Sequence, residues 1–303
     1  MLAVVFTGLA EDASFTESEV SSPKGPPPTV VRLSSDYVGP ATLNGGAKAS
    51  FYQVGFQAQI PFPIARELSG NVGLGIENRG YHFSQFGSFL PGFESPLNQA
   101  VAARIAPGLA YRLNDRWRLF AGGSWMYSGV LGSLVSEASL WGGAAGAFYQ
   151  VTPNLTLVGG FGFTERFDAA KLYVPILGFN WRINEQWQLV GGDVANTING
   201  PTLGAQVSYR LNDQWSLFGI GGYEGTFTRL DDSSSIPDGS LRYRSAAALL
   251  GFEYEFVPGL VVRVYGGARL AQQYTFRDQE GIDVADDTTG TSPSVGLVLR
   301  AAF

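Results

Sequence analysis

The 303-residue chain contains no cysteine and one histidine, His82. A disulfide framework, a thiolate metal centre and a cysteine nucleophile are therefore excluded, and histidine acid–base chemistry is reduced to one residue. That residue lies in NRGYHFSQF, two positions before Ser84 and outside any G-x-S-x-G context, so it reads as a rim histidine and the chain as a non-enzyme. Lysine occurs only at Lys24, Lys48 and Lys171, charged residues are 15% of the chain, and the formal net charge is −6. So little positive charge leaves no basic face for nucleic acid. No apolar run reaches the roughly 18 residues that a membrane-spanning helix needs. The glycine-rich stretches AGG, VGGFG and GIGG carry no phosphate-loop lysine, and no cofactor is expected.

What the chain does have is a repeated gesture. YRLNDRW at 111–117 returns as WRINEQW at 181–187 and YRLNDQW at 209–215, with looser echoes in YQVTPNL at 149–155 and YEFVPGL at 254–260. Asn and Asp tolerate left-handed backbone and bond their own main chain, so each unit reads as the tip of a tight β-hairpin. Between tips the sequence alternates with period two, and fourteen segments read as strands: 30–38, 47–60, 71–83, 100–113, 116–128, 137–151, 155–167, 171–183, 187–195, 201–211, 215–229, 242–256, 260–276 and 293–303. Every tip then falls at one end, and the connections at the other end are mostly longer. Short turns on one side and long loops on the other predict an all-β fold, a transmembrane antiparallel up-and-down β-barrel of about 14 strands, with 12 or 16 as alternatives.

Parity assigns the two faces. Val72, Leu74, Ile76, Ala103, Ile105, Leu109, Leu157, Phe161, Phe163, Leu177, Phe179, Val262, Val264 and Leu270 share the apolar face, with Tyr111, Trp117, Tyr149, Trp181, Trp187, Tyr209, Trp215 and Tyr254 forming a membrane-interface girdle beside the turns. The opposite face carries Arg79, Arg104, Arg112, Arg118, Arg182, Arg210, Arg263 and Arg300, with Arg116, Arg166 and Arg269, against Glu77, Glu224, Glu253 and Glu255. This basic surplus predicts either a lumen that favours anions or a bracing network that fills it. Asp193 has the parity of Trp187 and conflicts with a lipid-facing position, unless its strand is short or bulged. Acidic residues gather at Asp278, Glu280, Asp283, Asp286 and Asp287, a segment without EF-hand spacing that reads as a solvated loop, with no metal.

The chain ends SVGLVLRAAF, with Leu297, Leu299 and Phe303 on one face. This resembles the C-terminal strand of bacterial outer-membrane proteins, which implies recognition by the barrel-assembly machinery. Residues 171–220 resemble an uncharacterised bacterial outer-membrane β-barrel family, a domain of unknown function. That resemblance implies fold and location in the bacterial cell outer membrane, among outer-membrane lipid and lipopolysaccharide, and supplies no substrate. Residues 1–29 read as a signal-peptide remnant and Pro-rich periplasmic linker, from MLAVVFTGLA and SSPKGPPPTVV, and 30–303 as the barrel. The expected function is a passive channel for small polar solutes, with anions favoured; the alternative is a closed structural or surface-interaction barrel with functional extracellular loops.

Overall fold

The computed structural model describes residues 27–43, 46–89, 97–167, 169–193 and 202–303. The signal remnant and most of the linker assigned to 1–29 lie outside them. Fifteen strands follow in chain order: β1 (Val30–Thr42), β2 (Lys48–Ala65), β3 (Leu68–Ser84), β4 (Gln99–Arg112), β5 (Trp117–Val130), β6 (Ser139–Thr152), β7 (Leu155–Arg166), β8 (Ala169–Arg182), β9 (Trp187–Asp193), β10 (Thr202–Arg210), β11 (Trp215–Arg229), β12 (Ser240–Val257), β13 (Leu260–Arg277), β14 (Asp283–Thr288) and β15 (Ser292–Ala302). One turn of helix, α1 (Phe86–Phe89), follows β3. From β1 to β13 each strand pairs antiparallel with the next, β13 pairs with β15, and β15 pairs with β1 to complete the ring. The wall is a closed fourteen-stranded barrel. β14 is a fifteenth strand outside it, paired only with the upper end of β13.

The repeated tips fold by one mechanism. In each, an Asn Oδ1 accepts the backbone N–H groups two and three residues on: Asn114 from Arg116 and Trp117 at 2.9 and 2.9 Å, Asn184 from Gln186 and Trp187 at 2.9 and 2.8 Å, and Asn212 from Gln214 and Trp215 at 2.9 and 2.9 Å. The residue before each Asn donates its N–H to the carbonyl of the Trp that starts the next strand. Side chain and backbone together set the register of the hairpin. Asn212→Ala removes both side-chain bonds and is expected to lower stability by about 1 kcal/mol, measured as a shift in the urea midpoint at constant slope.

The outer face is the apolar one. Leu33, Leu74, Ile76, Ile105, Leu109, Leu157, Phe161, Leu177, Leu217, Leu250 and Leu297 are exposed, on alternate residues of their strands. Four strands carry a second aromatic eight residues from the first: Trp117 and Trp125 on β5, Tyr149 and Trp141 on β6, Trp181 and Tyr173 on β8, Trp215 and Tyr223 on β11. Eight residues at ~3.3 Å each and ~40° tilt span roughly 20 Å, close to the apolar height of a transmembrane barrel. The two bands mark the two edges of the membrane.

Aromatic rings lie over glycines on neighbouring strands, on both faces. A Cβ at Gly80 would meet the Tyr52 ring at 2.2 Å, and one at Gly251 would meet a backbone carbonyl at 2.3 Å and the Phe218 ring at 2.6 Å. Glycine there lets the ring cover the backbone and the sheet curve tightly.

Two segments depart from the sequence reading. The acidic stretch 278–291 is not simply a solvated loop. Gln273 and Thr275 of β13 donate to Asp286, Arg277 donates to Asp283 at 2.5 Å, and these pairings convert half of it into β14. A bulge at Ala271, whose φ is +47°, shifts parity on β13, so Tyr274 and Phe276 point inward above it. At the other conflict, Gly192 has φ +114° directly before Asp193, β9 ends at Asp193, and β8 and β9 pair through only four residue pairs. The Asp193 side chain is outside the described residues.

Candidate functional site

Contacts between strands that are not neighbours can pass only through the lumen, and they identify the inner face directly. Arg79 on β3 donates to Thr226 Oγ1 on β11 at 3.0 Å. Arg269 on β13 pairs with Asp36 on β1 at 2.5 Å and with Glu224 on β11 at 2.6 Å. Arg263 on β13 donates to Gln206 on β10 at 3.3 Å. Side chains from four sides of the barrel meet in its interior.

They meet because the barrel is pinched. β5 and β11 are six strands apart, and a round fourteen-stranded barrel is roughly 28 Å across. Yet Gly129 at the upper end of β5 pairs in parallel with Arg229 at the upper end of β11, and the Ser128 hydroxyl donates to the Phe227 carbonyl. The seam divides the upper lumen into two lobes.

One lobe, bounded by β11–β13, β15 and β1–β5, is packed. Its apolar part holds Val38, Phe51, Tyr81, Phe86, Leu241, Tyr243, Tyr274 and Phe276, all buried, with the Phe51 and Tyr243 rings 5.2 Å apart across the barrel. Beneath them lies a buried polar layer. Gln53 donates to Glu77 at 2.9 Å, Arg79 reaches Gln53, Glu77 and the Phe51 ring face, and Ser245 and Ser294 donate to Glu224 and Asp36. Three acids, Asp36, Glu77 and Glu224, face two arginines, Arg79 and Arg269, with buried Arg32 nearby on β1. Desolvation takes back most of the Coulomb gain of such pairs, so the layer's main effect is to fix one strand arrangement, and losing one partner is costly.

The other lobe, bounded by β5–β11, is different. Its rows of inward residues follow the strand register: Ala110, Phe120, Gly146, Gly160, Ile176; then Gly108, Gly122, Ala144, Gly162, Val174; then Ser124, Gly142, Thr164, Leu172. Met126, Val158, Leu172, Ile176 and Val190 keep accessible surface although they point inward. An inward side chain in a closed barrel can be accessible only against an internal space. That space is lined by these accessible side chains and by very small residues, whereas Phe120, Ala144 and Val174 of the same rows are buried, and Arg104 lies beside Met126 at its edge.

Below both lobes, towards the turns, the inner face is polar. Gln57, Gln59, Asn71, Ser208, Glu253 and Arg263 are partly exposed there, and Arg263 pairs with Glu253 at 2.7 Å.

Apart from Arg116 and Arg166, the arginines and acids singled out in the sequence lie on the inner side of the register, and the structure divides them. Arg79 and Glu77 belong to the packed layer, and Arg263 and Glu253 to the polar region. Arg112, Arg118, Arg182, Arg210 and Arg300 lie near the turn end, where Arg112 and Arg118 face each other across β4 and β5, and Arg32 faces Arg300 across β1 and β15. The Arg166 side chain is outside the described residues. Arg116 is in an exposed turn. In the girdle, Tyr111, Trp117, Trp181, Trp187 and Trp215 are exposed, and tilted ring pairs join Trp117 to Tyr149, Trp187 to Tyr209 and Trp215 to Tyr254, with centroids 4.5, 4.7 and 4.7 Å apart. Leu297 points outward, Leu299 is half-buried, and Phe303 is 76% exposed while exchanging backbone hydrogen bonds with Thr29. His82 is exposed on the outer face. Among the described residues, no group of three or more His, Asp or Glu could hold a metal ion. Asp36 and the accessible apolar wall formed by Met126, Val158, Leu172, Ile176 and Val190 escaped the sequence reading.

A closed, antiparallel fourteen-stranded wall with an apolar exterior, two aromatic bands and short turns at one end is a transmembrane β-barrel of the kind found in bacterial outer membranes. A family model described as a domain of unknown function, DUF6268, matches residues 102–301, and the chain belongs to that family. No curated protein matches the sequence. Among solved structures, the chain is similar to a deltaS2 mutant of the TodX monoaromatic hydrocarbon channel, with 14% identity, a TM-score of 0.54, and coverage of 92% of this chain and 91% of the other. A TodX deltaS2S3 mutant gives 14% identity, a TM-score of 0.52 and the same coverage. The Pseudomonas putida toluene transporter TodX itself gives 10% identity and a TM-score of 0.46, over 98% of this chain and 92% of that one. The two likenesses with TM-scores above 0.5 describe the fold.

Proposed function

We propose that the protein is a passive channel of the bacterial outer membrane for small organic solutes, and that they travel along the β5–β10 wall. The observation that carries this reading is the uneven lumen: Met126, Val158, Leu172, Ile176 and Val190 stay accessible, while the inward residues of the opposite lobe are buried. An apolar strip above a polar mouth suits solutes with apolar surface. Two of the similar structures are of a monoaromatic hydrocarbon channel, which points the same way.

A preference for small polar anions is the second reading, favoured by the arginines at the turn end. Reversal potential under a salt gradient separates the two. Replacing Arg112 and Arg210 together by alanine abolishes an anion bias under the second reading. Under the first, the double variant leaves passage of a neutral aromatic solute into proteoliposomes within about twofold of wild type, since neither side chain lines the apolar strip. A folded, heat-modifiable barrel that passes neither ions nor solutes would contradict both readings and leave a closed structural barrel.

A further inference from the structure

One row of inward residues runs obliquely from the turn end into the lumen. In register it reads Arg112 on β4, Arg118 on β5, Phe148 on β6, Val158 on β7 and Gly178 on β8. Arg112 is the last residue of its strand before the turn, whereas Gly178 already lies three residues above Trp181, so the row climbs as it crosses the wall. With strands ~4.8 Å apart, Arg118 and Val158 are roughly 10 Å apart along it. Two cations stand at the mouth, and an aromatic and an aliphatic side chain stand deeper.

Arg112 and Arg118 lie directly opposite one another and are both exposed, so their repulsion is weak, but the two guanidinium groups together form a pair of donors that an anion can bridge. Arg112 gives one terminal nitrogen to Asp115 at 2.8 Å, but the Asp115 side chain is 94% exposed and Arg112 51%, and such a pair contributes little. Phe148 is half-buried and leans on Phe120, with ring centroids 5.2 Å apart. Phe120 is itself buried and lies over Gly146, where a Cβ would come within 2.6 Å of its ring. The Phe148 ring is thus supported from behind and open towards the lumen.

We infer that Arg112, Arg118 and Phe148 form a subsite for an aryl carboxylate. The carboxylate bridges the two guanidinium groups through charge-assisted hydrogen bonds, and the aryl ring packs on Phe148 and reaches Val158. Neither half suffices alone: a simple carboxylate leaves the ring uncovered, and a neutral aryl solute leaves the like charges opposed. The inference rests on the channel reading in that it names the solute class such a mouth collects.

The test is calorimetric titration of the refolded, heat-modifiable full chain in detergent with 3-phenylpropionate, acetate and 3-phenylpropanol. 3-Phenylpropionate is expected to bind at least about tenfold more tightly than either of the others. Arg118→Gln and Phe148→Ala are each expected to weaken it by about tenfold, while Arg210→Gln, on a distant strand, changes it less than about twofold. Acetate binding as tightly as 3-phenylpropionate, or equal losses in the Arg118 and Arg210 variants, would overturn the subsite; the wild-type ligand series decides this even if a variant misfolds. Binding without passage across proteoliposomes upholds the subsite and removes the channel, whereas passage without binding does the reverse.

Discussion

Arg269→Ala is expected to raise single-channel conductance several-fold and to lower stability by about 3–5 kcal/mol, the cost of leaving a buried charge without its partner. Arg269 is 5% exposed and holds two carboxylates on different strands, Asp36 at 2.5 Å and Glu224 at 2.6 Å. Alanine leaves both in a water-poor interior. Water must then enter, or the strands must part. Either outcome loosens the packed lobe, because β1, β11 and β13 are tied there through this one side chain. Arg269→Met is the sharper comparison. It keeps most of the volume but not the charge, so conductance should still rise; a rise with alanine alone would make the packed volume, and not the ion pairs, the cause. Planar-bilayer recording with a parallel denaturant titration reads both effects.

Ile176→Trp is expected to act in the opposite direction, cutting passage of a neutral aromatic solute at least about tenfold, since overfilling a narrow path excludes the solute sterically. Ile176 is inward on β8, partly accessible, and faces Gly160 across β7 in the same row as Phe120. An indole there projects into the space that the glycines of β6 and β7 leave. Leu177→Trp, one residue along and pointing outward at 70% exposure, is the control and should leave passage unchanged. Equal passage in wild type and Ile176→Trp would mean that solutes do not use this wall.

Much of the barrel was legible in the sequence because its determinants are local. Period-two alternation assigns each residue to a face without knowledge of its partners, and the Asn-containing tips fix register through bonds within seven residues. The fourteen strands and the inward positions of Arg79, Arg112 and Arg263 follow from that alone. What was not legible depends on contacts between distant strands. The β5–β11 seam joins Gly129 to Arg229 and needs the wall to flatten. Nothing in either segment announces the other. Parity alone turns Asp36 inward, but its partner Arg269, 233 residues away, cannot be read from it. β14 was hidden because DVADDT carries no apolar alternation, and its pairing rests on Asp286 and Asp283 accepting from β13. The bulge at Ala271 reversed parity over the last residues of β13, where left-handed backbone at a non-glycine residue gave no warning in the sequence.

The basic surplus on the inner face predicts either an anion-favouring lumen or a bracing network that fills it. The structure places Arg79 and Arg269 in the packed layer and gathers Arg112, Arg118, Arg182, Arg210 and Arg300 near the turn end. Between them the accessible wall is apolar. Along the proposed path, charge stands at the mouth and hydrocarbon beyond it.

The absence of cysteine makes the central claim directly measurable, because single-cysteine variants carry no background. The decisive measurement is labelling of Ser124→Cys, Met126→Cys and Ile176→Cys against Ala49→Cys and Ala102→Cys in the folded barrel, using a small charged thiol reagent. All five positions face inward, and the two alanines are 1% and 2% exposed in the packed lobe. Fast labelling at the first three and protection at the last two is the result this account predicts. Equal labelling at all five, or faster labelling at Ala49 and Ala102, would contradict a path confined to the β5–β10 wall.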